Sequence, residues 1–256
     1  MKSPRRYGSP DATRLQARDI YDGLLLVDKP AGPTSHDIVA HIRRQFQFDK
    51  VGHGGTLDPQ ATGLLVILIG RGTKLSSTVM NSDKVYEGYL RLGITTDSQD
   101  ASGAVLSERD PSAVTREALE GEISKYSGDI MQTPPMVSAI KMQGRALYKL
   151  ARKGKTVERE PRLIHIYEFT LIEFDPPRAS FRLNCSKGTY VRTICNDIGE
   201  TLGCGAVLDE LRRTRAGNWS IQDALTLPAI EAMDKAQLLE HIIPVHKVTK
   251  ANDPGA

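Results

Sequence analysis

At 256 residues, with 39% apolar and 25% charged residues and a net charge of +3, the chain can bury a substantial core, and its charge alone marks no nucleic-acid binder. No apolar run approaches the roughly 20 residues of a membrane helix. Lys2, Arg5 and Arg6 have no apolar stretch behind them, so no secretory signal is expected and the expected location is cytoplasmic.

Residues 1–20 are polar and aperiodic and are expected to form a poorly ordered tail. Leu24-Leu25-Leu26-Val27 reads as a buried strand ended by Asp28-Lys29-Pro30, and Ser35 is placed to cap a helix whose Ile38, Val39, Ile42 and Phe46 share a face. A glycine-rich loop, Val51 to Pro59, leads into the apolar run Leu64–Ile69, which suits a second buried strand. From Tyr86 to Leu92 the period is two, putting Tyr86 on the covered face with Leu90 and Leu92. Ala118, Leu119 and Ile123 suggest a helix.

From about Gly128 to Arg162 there are eight cations against three anions, so the positive field is concentrated on one segment while the remainder is net negative. This stretch reads as a long basic insertion with a short helix near Ala146–Ala151. Strands return at Leu163–Phe174 and Phe181–Cys185. Val191, Ile194, Cys195, Ile198 and Leu202 then follow helical spacing, with Thr189 a cap. Cys185, Cys195 and Cys204 sit in apolar patterns and read as reduced packing residues, with no metal site. After Ile243 the chain turns polar and is expected to fray. Strands and helices do not alternate regularly, which favours an α+β fold with a mixed, mostly antiparallel sheet. The division expected is a tail (1–20), one catalytic domain (21–245) holding the insertion (128–162), and a second tail (246–256).

Three residues could carry chemistry. Asp58 precedes a proline, which keeps it out of the helical region, and Gly52, Gly54 and Gly55 upstream let the main chain pass close to a ligand. A lone Leu-Asp-Pro is more often a turn aspartate bonded to its own backbone, and a lone loop histidine such as His53 is more often structural. Arg192 lies in the first turn of its helix, where the macrodipole disfavours a cation by a few tenths of a kcal/mol. A nearby anion would offset that cost, although a solvated arginine fits equally well. Pairing of Arg192 with Asp58 is a conjecture on these grounds.

Gly52-His53-Gly54-Gly55-Thr56-Leu57-Asp58-Pro59, with Ala61-Thr62-Gly63-Leu64-Leu65 behind it, closely resembles the catalytic motif of the TruB family of pseudouridine synthases. Four further blocks agree in order and spacing: Lys29 to Ser35, Asp83 to Tyr86, Cys185 to Thr193, and Leu202-Gly203-Cys204-Gly205-Ala206 to Leu211-Arg212-Arg213. The likeness runs from about Gly23 to Pro244. It implies the pseudouridine-synthase fold and conversion of a uridine in the transfer-RNA T-loop, at position 55, to pseudouridine. It implies Asp58 as the essential aspartate, Tyr86 as the aromatic stacked on the target base, and Arg192 as the partner of the aspartate. His53, Tyr190 and Leu211 match positions that contact or enclose the flipped nucleotide. The insertion, with Lys141, Arg145, Lys149, Arg152 and Lys153, resembles the segment that grips the RNA backbone.

The reaction breaks the N1–C1′ bond and rejoins the base through C5, gaining and losing no group, so no cofactor or metal is expected. Two departures stand out. Gly54 replaces the Thr or Ser of many relatives, a change expected to add flexibility. The C-terminal RNA-binding PUA domain that many relatives carry, and that the guide-dependent branch of the superfamily usually has, is not expected here. A guide-free monomer acting on the tRNA T-arm is therefore expected. A non-catalytic RNA-binding factor would not require the Asp58 carboxylate, and a uracil-releasing glycosidase would commonly need a second one.

Overall fold

The computed structural model describes residues 20–136, 141–142, 145–146 and 157–250. The chain begins with β1 (Gly23–Lys29), α1 (Ser35–Gln45), β2 (Val51–His53), β3 (Thr62–Ile69) and the short α2 (Ser76–Asn81). β4 (Lys84–Leu92) follows, then the small pair β5 (Ile94–Thr96) and β6 (Val105–Glu108), α3 (Arg116–Ile123) and β7 (Gly128–Gln132). After the two-residue strands β8 (Lys141–Met142) and β9 (Arg145–Ala146) come β10 (Arg162–Asp175), β11 (Arg178–Cys185), α4 (Val191–Thr201) and β12 (Ala206–Ala216). Short pieces close the chain: β13 (Trp219–Ser220), β14 (Leu225–Thr226), α5 (Leu227–Glu231), α6 (Lys235–Leu239), β15 (Ile243–Pro244) and α7 (Val245–Lys250).

The main sheet runs β14-β1-β3-β12-β4-β11-β10-β7, antiparallel along this path except at β14 on β1 and β12 on β3. It is the mixed, mostly antiparallel α+β sheet expected. β1 and β3 are covered on both faces, which is why they read as continuous apolar runs rather than alternating ones. Leu25, Val27, Leu65 and Ile67 pack with Ile38 and Ile42 of α1, while Leu24, Leu26, Leu64 and Val66 pack with Val79 and Val248 on the other side. β4 and β11 alternate, and Leu90, Leu92, Phe181 and Leu183 meet Ile194, Cys195 and Ile198 of α4. Each such aliphatic side chain stabilises the fold by about 1.5–3 kcal/mol on burial. Tyr86 and Leu211 touch the clusters on both sides of the joint between the two halves of the sheet.

That joint is narrow. β12 meets β3 through Arg212 opposite Thr62 and Arg213 opposite Gly63. Gly63 has φ +97°, and a Cβ there would lie 2.3 Å from the Arg213 carbonyl oxygen, so this crossing requires glycine.

Several local expectations are corrected. Thr34, not Ser35, caps α1, accepting from the Asp37 N–H in a capping box. Tyr190, not Thr189, precedes α4, and the Thr189 hydroxyl donates to the Ser186 carbonyl instead. Gly128–Gln132 belongs to the main sheet as β7, and Ala146 lies in β9; the rest of the helix expected near Ala146–Ala151 falls outside the described residues. Val245–Lys250 is helical with Val248 buried, where fraying is expected from polarity, because one apolar side chain suffices to dock a single turn. Residues 1–19 and 251–256 lie outside the described residues.

Candidate active site

The loop between β2 and β3 is tied down along its length. The Gly54 N–H donates to the Val66 carbonyl (2.8 Å). The Ser35 hydroxyl, buried at the start of α1, accepts from the Leu57 N–H (2.9 Å) and donates to the Leu57 carbonyl (3.1 Å). Lys29, fully buried at the end of β1, donates to the carbonyls of Pro30, Pro59 and Ala61 at 2.8, 3.0 and 2.7 Å. Burial lowers the Lys29 ammonium to about 8, opposed by the Asp58 charge and reinforced by that of Arg213. Leu57 faces the core, which turns its neighbour Asp58 outward.

Gly54 is a close-packing residue rather than a source of flexibility. A Cβ there would stand 2.2 Å from Val79 Cγ1. Gly54→Ala is expected to cost about 1–3 kcal/mol through overpacking. Urea denaturation checks this: the Gly54→Ala/Val79→Ala double variant should lose less than the two single losses combined, and simple additivity would count against the contact.

The structure brings Asp58 and Arg192 together. Arg192 is buried, 5% exposed, and its Nη2 lies 3.5 Å from Asp58 Oδ2, while Nη1 lies 3.3 Å from Asp100 Oδ2. The two carboxylates offset the cost of a cation in the first turn of α4. They differ in setting. The Asp58 side chain is 52% exposed, whereas Asp100 Oδ1 accepts from the hydroxyls of Ser98 and Ser102 and from the Ser102 N–H. The Asp100 turn is in turn pinned to β12 and α4: the Ala101 N–H donates to the Leu208 carbonyl (2.9 Å) and the Thr193 hydroxyl to Gln99 Oε1 (2.8 Å). Asp100 thus fixes the guanidinium that meets Asp58.

Tyr86 and Arg213 are cross-strand partners on β4 and β12, and Leu211, two residues before Arg213, shares their face. Burial raises the Tyr86 phenol, and the charge and hydrogen bond of Arg213 offset part of that rise. A cleft of about 760 Å³ is walled by Asp58, Asp100, Leu211 and Phe181, among others. Tyr86, His53, Tyr190 and Arg192 do not themselves wall it. The Tyr190 ring centroid lies 5.8 Å from Arg192 Cζ, and its backbone is gripped by Gln132, whose amide accepts from the Tyr190 N–H (2.8 Å) and donates to its carbonyl (3.0 Å).

His53 stands at the end of β2 with its ring edge-on to His36, centroids 5.0 Å apart, and its Nδ1 accepts from the Gly55 N–H (3.4 Å). Burial first, then the charges of His36 and Arg213, lower its imidazole to about 4. It is therefore a neutral ring at working pH, and the stability tied to its neutrality is present above 6.5 and lost as pH falls through about 4. Its NMR titration should stay flat from pH 8 to 5.5 and move near 4; a midpoint near 6.5 would contradict this environment.

Lys141 and Arg145 lie on the β8–β9 pair, and Lys149, Arg152 and Lys153 lie outside the described residues. Among the described residues no group of three or more His, Cys, Asp or Glu could hold a metal ion. Sequence reasoning missed Asp100, which sits in a Ser/Asp/Gly turn with no periodic signature; it assigned no role to Lys29, Gln132 or Arg213, and to Ser35 only that of a helix cap.

The fold is that of the pseudouridine synthases. It is similar to the chain in the crystal structure of a Cbf5-Nop10-Gar1 complex, with a TM-score of 0.70 and 28% identity over 88% of this chain, which spans 61% of that one. A second solved structure, the archaeal box H/ACA sRNP Nop10-Cbf5 complex, gives a TM-score of 0.67 at 25% identity, over 92% of this chain and 63% of that one. Sequence comparison narrows the class. The model of the TruB family pseudouridylate synthase N-terminal domain matches residues 43–191, and that of the tRNA pseudouridylate synthase B C-terminal domain matches residues 192–249. Proteins named tRNA pseudouridine synthase B are similar over most of the chain. The one from Opitutus terrae is 51% identical over 91% of this chain and 97% of its own length, and that from Syntrophotalea carbinolica 48% identical over 85% and 72%. The chain belongs to the TruB family of pseudouridylate synthases, and it is an isomerase.

Proposed function

We propose that this chain isomerises uridine to pseudouridine in transfer RNA, at position 55 of the T-loop, as a guide-free cytoplasmic monomer whose catalytic domain spans about residues 21–245. The observation that carries the reading is the half-exposed Asp58 carboxylate opening into the cleft while a buried arginine, itself fixed by Asp100, meets it from behind. Relatives named for the tRNA reaction support the substrate.

A uridine stacked in a folded loop is out of reach, so the nucleotide must flip at a cost of a few kcal/mol. Stacking on Tyr86 would return about 1–3 kcal/mol of it. Leu211 in the cleft wall excludes water that would hydrolyse a broken glycosidic bond. His53, held neutral, and Tyr190, held through its backbone by Gln132, enclose the nucleotide. Asp58 acts as an anion on C1′, on the base, or on a proton of the sugar; all three routes need its carboxylate. No step calls for a redox or group-carrying cofactor, because the atoms of product and substrate are the same. Among the described residues no helix is long and apolar enough to cross a membrane.

Since the base rejoins through C5, the C5 hydrogen must leave. Incubation with a tRNA transcript carrying tritium at uridine C5 should release one equivalent of tritium for each modified site, and a release of none would refute the isomerase reading. The basic insertion is proposed to grip phosphates without reading sequence. Replacing Lys149, Arg152 and Lys153 with Ala should make the salt dependence of tRNA binding shallower by up to roughly 0.7–0.9 in slope for each lost contact. An unchanged slope in a binding titration would remove these residues from the RNA contact.

A further inference from the structure

Arg213 has no part in the reading above, yet among the described residues it is one of the most deeply buried cations. It is 2% exposed; Nε donates to the carbonyl of Leu64 (2.8 Å), Nη2 to that of Gly55 (3.1 Å) and Nη1 to that of Thr56 (3.5 Å), and the Tyr86 phenol is a further hydrogen-bond partner. Gly55 and Thr56 belong to the loop that carries Asp58, and Leu64 to the strand that follows it. Across the sheet, Arg213 stands opposite Tyr86 on β4 and opposite Gly63 on β3, so one side chain spans the joint between the two halves of the site. Burying a guanidinium on neutral oxygens is expensive. A brace for a loop could be built from an amide or a hydroxyl, as Ser35 shows at Leu57. What the charge adds is an electrostatic effect on whatever ionises beside it.

The group beside it is the Tyr86 phenol. Burial, the largest influence, disfavours a phenolate there, as do Cys185 on β11 and Asp58 on the loop; the charge and hydrogen bond of Arg213 oppose them. We propose that Arg213 is a positioning residue for the isomerisation: it holds the Asp58 loop and the Tyr86 ring in one frame, and its charge stabilises the phenolate that takes the C5 proton. This rests on the proposed role of Tyr86 at the flipped base. The Tyr86 phenol first gives its own proton to solvent, a loss that burial opposes and the Arg213 charge favours; once C5 is bonded to C1′, the C5–H bond breaks, its electron pair re-forms the C5–C6 double bond, and the proton passes to the phenolate oxygen. N1, freed by cleavage of its bond to C1′, receives a proton from solvent.

The test compares single-turnover rates on tRNA transcripts carrying hydrogen or deuterium at uridine C5, for the wild type, Arg213→Met, Arg213→Lys, Tyr86→Phe and the Arg213→Met/Tyr86→Phe double variant. Arg213→Met should slow product formation about tenfold for each unit by which the phenol rises. It should also show a larger deuterium effect than the wild type, with tRNA affinity within about threefold. Arg213→Lys, which keeps the charge and loses the fork, should recover most of the isotope effect seen in the wild type. In the Tyr86→Phe background the Met substitution should cost less than it does alone. A slow Arg213→Met enzyme with an unchanged isotope effect, and with a full further loss in the Tyr86→Phe background, would make Arg213 a loop brace only and overturn the proposal. If the Met variant fails to fold, Arg213→Lys decides: an isotope effect and rate equal to those of the wild type support charge as the requirement, and a rate loss without any isotope effect overturns it. Failure of the Tyr86 reading looks different, since Tyr86→Phe would then turn over at the wild-type rate with no deuterium effect.

Discussion

Asp58→Asn should abolish product formation, with a fall of at least about 10⁴-fold in single-turnover rate, while tRNA affinity stays within about tenfold. The amide keeps the shape of the side chain and can still accept from Arg192 Nη2, which lies 3.5 Å from Oδ2, so the loop keeps its anchor. Its backbone is held elsewhere, by Lys29, Ser35 and Arg213, none of which the substitution touches. What is lost is the anion that attack on C1′, attack on the base, or removal of a sugar proton each require. Quenched-flow turnover and filter binding on the same transcript separate the two effects. Measurable turnover by a purified Asp58→Asn enzyme, free of wild-type contamination, would remove the carboxylate from the mechanism.

Arg192→Met should produce the next largest loss, about 10²–10³-fold in rate. Methionine fills much of the buried volume but leaves Asp100 without its ion pair and Asp58 without the group that orients it. The fold should also weaken, by up to about 3–5 kcal/mol, the range seen when one partner of a buried ion pair is removed. Asp100 keeps its bonds to Ser98 and Ser102, which limits that cost. Arg192→Lys should fall between, because a single ammonium cannot serve two carboxylates as a guanidinium fork does. Thermal melts and single-turnover rates on both variants check this. A Met variant that melts lower yet turns over at the wild-type rate would make the Arg192 network structural only.

The elements with a clear apolar run or period were legible in the sequence: β1, β3, β4, β11 and the apolar stripe of α4 lie where the patterns put them. Their ends were less so. Ser35 has the chemistry of a cap, but Thr34 precedes it with Asp37 three residues on, and that pair satisfies the helix start and frees Ser35 to hold Leu57. The cation in the first turn of α4 was a sound pointer, since Arg192 is indeed met by anions. Its second partner was invisible, because Asp100 lies 92 residues away in a turn whose serines and glycine read as an ordinary loop. Gly54 was misread for a related reason: a glycine that admits a neighbouring side chain and one that permits motion look alike in one dimension, and only Val79 distinguishes them. Arg213 carried a signal that went unused. It falls two residues after Leu211 on a strand, and hence on the same inward face, where an arginine breaks the pattern.

The reaction and its place in the RNA can be read in a single experiment. The purified chain, incubated with unmodified tRNA transcript and followed by mapping of pseudouridine at single-nucleotide resolution, tests both most directly. One pseudouridine per tRNA is expected, at T-loop position 55, formed by the wild type and absent with Asp58→Asn. Stable binding of the transcript with no pseudouridine at any position would contradict this and make the chain an RNA-binding factor on a synthase fold.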